Sequence, residues 1–377
     1  MIRLRPFRLI GRLVAELPAI SLFSGCGGLD LGVQAAGYSV RACLEYEADA
    51  CSSLRANFPE TAVIEADIRN VSTAELLRAA RLRPGEAELL VGGPPCTPFS
   101  KSGYWLEYKR KGLDPEASLL EHYLRILDEA RPRAFILENV FALAYRNHNR
   151  PWLERLLETF DQLGYRVAHR ALLAADYGVP QRRQRLFIIG SLEGMPAFPA
   201  PTHGGPHETR KHWDRSLAPH ATSGEAIGDL AGRDDLAEPE EIVGGKYGHL
   251  LPEIPPGDNY LYFTAKRGHP QRLFGWRKRY WSFLLKLDPA QPAPTIQAQP
   301  GPYVGPFHWH NRRLRLLEIK RLQTFPDEHV VVGSRRSAQV QIGNAVPPLL
   351  AEQVARALLA GPDDKTAAPV QLDLVAA

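Results

Sequence analysis

Cysteine is scarce in this chain: Cys26, Cys43, Cys51 and Cys96 are the four in 377 residues. None forms a CxxC pair, and no His/Cys cluster has zinc-ligand spacing, so a structural metal is not expected. So few cysteines in a long chain point to a reducing compartment rather than a disulfide scaffold. Long apolar runs are also missing. No stretch approaches the roughly 20 residues needed to span a bilayer. Arg3, Arg5, Arg8 and Arg12 break up the N-terminus where a signal peptide would be apolar. These absences predict a cytoplasmic protein without membrane contact. Nor is there a large excess of one charge: the net charge is +4, so the total says little about partners and its distribution must be read instead. No internal repeat is visible.

What is present fits a globular chain with a sizeable core, either one large domain or a large one plus a smaller. From Ile20 to Gly190, short apolar runs alternate with helical patterns, which reads as an α/β sheet protein. The runs predict strands at Ala19–Phe23, Tyr38–Glu45, Ala62–Glu65, Glu88–Gly92, Ala134–Leu137 and Leu186–Gly190. Helical spacing marks Leu119–Ala130 and Trp152–Leu163. After Gly190, Pro196, Pro199, Pro201, Gly204, Gly205 and Pro206 mark a linker. The region up to about Pro306 has few periodic segments. It holds an acidic patch (Asp234, Asp235, Glu238, Glu240, Glu241) followed by a basic, aromatic one. Helix returns at Leu316–Gln323 and Leu349–Leu359, and the tail from Gly361 is small and polar.

The first strand leads into Phe23-Ser24-Gly25-Cys26-Gly27-Gly28. Glycines at a strand-to-helix turn let the backbone approach a ligand and aim helix N–H groups at it. About 20 residues on, Glu45 and Tyr46 end the second strand, where an acid binds ribose hydroxyls in nucleotide-type sites. The third strand leads to Asp67 and Ile68, a carboxylate and an apolar side chain suited to the amino group and face of an adenine. Together these predict an adenosine-containing cofactor.

The fourth strand ends in Gly92-Gly93-Pro94-Pro95-Cys96-Thr97-Pro98-Phe99-Ser100. Prolines on both sides stiffen the backbone around the thiol, at the carboxyl end of a sheet where α/β ligand sites occur. Rigid placement is what a nucleophile requires. Cys26, Cys43 and Cys51 lie in apolar or helical surroundings and read as buried thiols. Glu138-Asn139-Val140 brings a carboxyl group to the same sheet edge. Gln181-Arg182-Arg183-Gln184-Arg185 brings cations, and alternation sets Arg183 and Arg185 on one side if the segment is extended.

In this order the blocks resemble the DNA cytosine-5 methyltransferase family over most of the chain: Phe23–Gly28, Gly92–Ser100, Glu138–Val140, Gln181–Arg185, Arg313 through Pro326, and Gln341–Pro347. The resemblance implies a Rossmann-like S-adenosylmethionine-dependent domain with a smaller, irregular target-recognition domain. The large domain would span residues 1–192, completed by 338–361, the small one 193–337, with 362–377 a tail. Cys96 would add to C6 of cytosine, Glu138 would hold and protonate N3, and Arg183 and Arg185 would orient the base and reacting groups. S-adenosylmethionine would be lined by Phe23, Ser24, Gly25, Gly27, Gly28, Glu45, Tyr46, Asp67, Ile68, Pro94, Leu119, Asn344, Ala345 and Val346. The chain departs from the family pattern at Ser21, where an acid is common, at Glu116, where arginine is usual, and at Arg315, commonly Thr or Ser.

Covalent addition at C6 turns C5 into an enamine carbon able to accept a methyl group. A stacked base is out of reach, so the target nucleotide is expected to flip out of the duplex. Lys101–Trp105 is expected to form a mobile loop over it. Between Asp258 and Asp288 lie Lys266, Arg267, Arg272, Arg277, Lys278, Arg279 and Lys286 with no acid among them, interleaved with Tyr260, Tyr262, Phe263, Phe274, Trp276, Tyr280 and Trp281. Cations supply phosphate affinity and groove-facing polar groups read sequence. Expected DNA contacts are therefore Ser100, Lys101, Arg272, Trp276, Arg277, Lys278 and Arg279. The expected substrate is double-stranded DNA in a restriction-modification setting, with a cognate endonuclease as possible partner and the enzyme a monomer. A tRNA cytosine-5 methyltransferase and an inactive DNA-binding relative are the alternatives. A nicotinamide dehydrogenase would share the glycine turn but leave the cysteine block unexplained.

Overall fold

The structure is a computed structural model in which residues 17–95, 117–141, 150–205 and 214–361 are described. The strands are β1 Leu17–Leu22, β2 Tyr38–Glu45, β3 Ala62–Glu65, β4 Leu89–Gly92, β5 Ala134–Val140, β6 Arg166–Leu173, β7 Gln181–Arg182 and β8 Gln184–Ser191. Seven of them form one sheet in the order β3-β2-β1-β4-β5-β8-β6. β1 to β5 pair in parallel, and β8 lies antiparallel to both β5 and β6. Sequence order reverses between β1 and β4, the place where open α/β sheets bind ligands.

Helices cover both faces, so the central strands are apolar on both sides. In β5, Phe135 and Leu137 join one core with Tyr123, Ile126, Phe160 and Ile188. Ile136 between them joins the other, with Val33, Leu54, Val354 and Leu358. Burying each such side chain contributes about 1.5–3 kcal/mol before entropy is counted. β6 has no counterpart among the strands expected from sequence. It is an edge strand with Arg166 and His169 exposed, so no apolar run marks it.

The final helix, Pro348–Ala360, returns onto the first, Gly28–Ala35. The contact is so close that a Cβ on Gly32 would sit 2.4 Å from that of Ala351. Between β8 and the helix Leu316–Leu322, the described residues hold only short elements: two-residue strands, the five-residue helix Ser223–Ile227 and a series of 3-10 turns. They enclose their own core of Leu250, Leu251, Ile254, Tyr260, Phe263, Phe283, Leu284 and Phe307. A further cluster bridges the two parts, placing Cys26 and Ile342 with Ile227, Leu287, Ile296, Ile319 and Phe325.

Two of the sequence departures have physical accounts. Arg315 is buried and its guanidinium grips Glu241, with Nε–Oε1 at 2.6 Å, while Nη1 donates to the carbonyls of Leu230 and Arg233. Glu238 likewise takes Arg335 at 2.9 Å. Two of the five acids of the patch, Glu238 and Glu241, are thus internal ties. Ser21 is buried beneath the glycine turn and accepts the Ser24 hydroxyl at 2.8 Å. Glu116 lies outside the described residues.

Candidate active site

At the end of β1 the chain turns sharply, with Phe23 at φ +56° and Gly27 at φ +86°. A side chain at 27 would be strained there and would also strike the Phe58 ring. Glu45, at the end of β2, fixes the turn: its Oε2 accepts from the Gly25 amide at 2.7 Å, and its Oε1 from the amides of Tyr46 and Glu47. Behind the turn, the Val346 carbonyl and Ala345 Cβ lie within 2.5 and 3.0 Å of where a Gly28 side chain would begin. Ala345 and Val346 therefore seal the loop from the back, and Asn344 is exposed beside them.

The remaining cofactor candidates divide by environment. Tyr46 is 66% exposed, leaving its ring available at the mouth of the site. Asp67 caps the short turn Ile68–Asn70 and carries the Arg69 guanidinium, which holds its carboxyl below the usual range. Ile68 is 4% exposed and packs in the core with Leu76 and Leu77, so its side chain presents little open surface. Leu119 is half-buried on the helix Ala117–Ala130, and Pro94 lies two residues past the end of β4.

Beneath this loop lies a buried polar group that the sequence reading passed over. Asp30 Oδ1 accepts from the Cys43 thiol at 3.3 Å, and Oδ2 has no partner among the described residues. Burial pushes its carboxyl up to about 6, against the pull of Ser21 and Cys43. The signal available in sequence was an acid two residues past a glycine pair, inside an apolar helix.

The acid–arginine arrangement forms where β5 meets β8. Pairing of Val140 with Arg185 and Glu138 with Phe187 brings the strand ends together. Arg185 Nε donates to Glu138 Oε1 at 2.8 Å, with the two side chains 17% and 11% exposed. Burial pushes the Glu138 carboxyl up, opposed by Arg185 and Arg183. The other oxygen, Oε2, faces Gly93, where a Cβ would come within 3.0 Å of it. Gly93-Pro94-Pro95 therefore passes along the acid immediately before Cys96.

Cys96, Ser100, Lys101 and the rest of Lys101–Trp105 lie outside the described residues. The other three cysteines are buried. Burial raises the thiols of Cys26 and Cys51 to about 12 and that of Cys43 well above its usual value. None of these three is placed to supply a thiolate.

Arg183 is fully buried, and its contacts are structural ones. Its Nη2 donates to the carbonyls of Gly343 and Asn344 at 2.9 and 3.1 Å, while Nε lacks a partner among the described residues. Gln181, to which the sequence reading gave no role, is equally buried. It donates to Leu322 O and Gln323 Oε1 and accepts from Ile296 N.

The basic, aromatic stretch divides into a platform and a surface. Tyr260, Phe263 and Phe283 are platform, packed edge-to-face with Phe274 and Tyr247. Lys286, read from sequence as one of a basic run, is buried. Its Nζ donates to Ile254 O at 2.7 Å and Asn311 Oδ1 at 2.6 Å, because the chain on both sides of it is core. Arg272, Arg277, Lys278 and Arg279 are exposed, as are Tyr280 and Trp281. Trp276 is half-buried beneath Lys266, whose Nζ stands 4.6 Å from the ring centroid. Arg277 adopts φ +55°, which costs an L-residue about 1–2 kcal/mol.

A glycine turn at the sheet's reversal point, acids at or just past the ends of the next two strands, and a buried acid–guanidinium pair nearby are the site features of an α/β-class enzyme. A family model, C-5 cytosine-specific DNA methylase, matches residues 17–360. The chain belongs to that family, and it is a DNA (cytosine-5)-methyltransferase. It is 47% identical over 367 residues to the Type II methyltransferase M.SacI of Streptomyces achromogenes, covering 91% of this chain and 93% of that one. To the Type II methyltransferase M1.HphI of Haemophilus parahaemolyticus it is 32% identical, covering 91% and 87%. Among solved structures, a prophage-encoded E. coli protein superposes with a TM-score of 0.62 at 23% identity, covering 92% of this chain and 99% of that one. The methyltransferase EhMeth of Entamoeba histolytica gives 0.59 at 15% identity, covering 92% and 99%. These two likenesses speak for the fold.

Proposed function

We propose that this enzyme methylates C5 of a cytosine within a specific double-stranded DNA sequence, using S-adenosylmethionine and a covalent bond from Cys96 to C6. The observation that carries the reading is the buried Glu138–Arg185 pair, beside the Gly93-Pro94-Pro95 segment that delivers Cys96. In this reading Glu138 meets N3 of a flipped cytosine through Oε2, while Arg185 fixes Oε1. A carboxyl raised by burial is suited to sharing a proton with N3 as the thiolate adds. The C5 carbon, made nucleophilic, would take the methyl group from a sulfonium and leave a neutral thioether, and a base would then take the C5 proton as the C6–S bond breaks and Cys96 leaves as thiolate. Arg183 would act indirectly, by fixing the 343–344 carbonyls beside the cofactor loop.

The residues fit S-adenosylmethionine. Two carboxylates at the ends of β2 and β3 offer acceptors to ribose hydroxyls and an adenine amino group, and the exposed Tyr46 ring offers a face. When bound, the cofactor would supply the electrophilic methyl group. Residues 1–192 with 338–361 would form the catalytic unit and 193–337 the recognition unit. Relatives named Type II methyltransferases support a restriction-modification setting, with an endonuclease of the same specificity as partner. Among the described residues, no helix is long and apolar enough to cross a membrane.

The test is incubation with labelled S-adenosylmethionine and duplex DNA, tRNA or neither. Label in DNA is expected; label only in tRNA, or none, overturns the reading. Duplexes carrying 5-fluorocytosine at the target should trap a covalent adduct that Cys96→Ser abolishes. An adduct surviving that change would remove Cys96 from the mechanism.

A further inference from the structure

The surface of the basic lobe is not uniform. Gly275-Trp276-Arg277-Lys278 is a tight turn closed by the Lys278 amide on the Gly275 carbonyl at 3.3 Å. Its third residue has positive φ, the position that glycine or asparagine takes in such turns, yet Arg277 occupies it. Both flanks are anchored. Phe274 is set among Tyr247, Tyr260 and Phe283 with centroids 5.6 to 5.7 Å apart. On the other side, the Tyr260 hydroxyl donates to Arg279 O at 2.8 Å and accepts from Arg279 N at 3.1 Å. Asn259 Nδ2 holds Trp281 O at 2.7 Å.

The cations of this stretch have different tasks. The Arg279 guanidinium lies over Phe283 and Tyr247, at 5.5 and 5.9 Å, and braces the platform. Among the described residues, Arg267 is the one surface cation here paired with a carboxylate, Asp258 at 3.5 Å. Arg277 stands at the apex, exposed, its guanidinium 5.9 Å from the Trp276 centroid. A strained backbone held on a rigid mount points to a use for its side chain where, as here, that side chain is an exposed cation. A guanidinium fork matches the O6 and N7 edge of guanine in a major groove, whereas lysine ammonium groups suit phosphates.

We propose that Arg277 is a base-reading residue that selects a guanine in the recognition sequence, and that Tyr260 is the positioning residue for its turn. Lys266, Arg272 and Lys278 flank it as phosphate contacts. This rests on the DNA reading above and adds to it which side chain reads a base.

The experiment is methylation of a randomised duplex library, followed by sequencing of the modified sites, for the wild type, Arg277→Gly and Arg277→Lys. Glycine fits the backbone angle and lysine keeps the charge, so neither change removes a buried group. At one guanine of the wild-type consensus, both variants should lose discrimination by a factor of about 5 to 150, the range for one bidentate contact. Other positions should keep theirs. Tyr260→Phe should blur the same position. The proposal is overturned if the consensus is unchanged, or if binding weakens equally for all sequences with a shallower salt dependence, as for a phosphate contact. A wild type that labels no DNA would instead defeat the underlying reading.

Discussion

Replacing Arg185 with glutamine separates the two influences on Glu138. The ion pair spans 2.8 Å, and both side chains are less than a fifth exposed. Removing one partner of such a pair costs about 3–5 kcal/mol when the other stays charged. Coulomb attraction at about 4 Å and an effective dielectric near 20 gives a similar figure, roughly 4 kcal/mol. Part is returned, because Arg185 also depresses Arg183 by like-charge repulsion, so a net loss of about 3 kcal/mol is expected at high pH.

The pH dependence carries the sign. The folded-state pKa of Glu138 already lies above its ordinary value through burial, and loss of Arg185 raises it further. An acid raised on folding is better tolerated protonated, so the deficit is present at high pH and fades as pH falls through the new folded value. Urea unfolding of Arg185→Gln against wild type should show a difference that is large at pH 8 and shrinks toward pH 5. The acidic group seen in the pH profile of kcat/KM should move upward. A stability difference that is constant from pH 5 to 8, or a group that moves down, refutes the account of Glu138 as a buried acid held charged by Arg185.

Asp30 gives a second pH test of the same sign. Its carboxyl rises from 3.8 to about 6 on folding, so wild-type stability should fall as pH climbs through that interval, by about 3 kcal/mol. Asp30→Asn should remove this slope, and parallel unfolding curves for the two proteins between pH 4 and 7 would contradict it. Arg315→Thr breaks the buried tie to Glu241 and should cost about 3 kcal/mol. Arg312, 3.3 Å from Glu241, keeps the acid partly paired. Adding Glu241→Gln should then cost less than the sum of the single changes; additive costs in thermal unfolding would show that the two side chains do not act together.

The strands of the central sheet were readable because burial on both faces demands apolar runs. β2 and β3 fall on the expected boundaries, while β1, β4, β5 and β8 differ at their ends. β6 was hidden because an edge strand carries a half-exposed, arginine-bearing sequence. The basic lobe was legible as composition but not as geometry. Lys286 and Arg277 look alike in a charge run, yet one is buried among carbonyls and the other crowns a turn. A one-dimensional list of charges does not say which chain reversal puts an ammonium inside, because the deciding atoms, Ile254 O and Asn311 Oδ1, come from segments more than twenty residues away.

The segment Gln181–Arg185 shows why a motif can be specific without all of its residues touching substrate. Gln181 bonds to residues 296, 322 and 323, the Arg182 carbonyl takes the Thr295 hydroxyl, and Arg183 binds residues 343 and 344. Only Arg185 reaches Glu138. These bonds join this segment to three later parts of the chain, and the Gln181 and Arg183 side chains are fully buried, where an unmet hydrogen bond is costly. Gln181 and Arg183 thus need donors of fixed length for reasons of assembly, and Arg185 needs its guanidinium for the acid. One stretch of chain sets where the lobe after β8 stands relative to the sheet and, two residues later, sets the charge state of the acid beside Gly93. Any displacement of the 295–296 or 343–344 backbone must therefore be absorbed within four residues of Arg185.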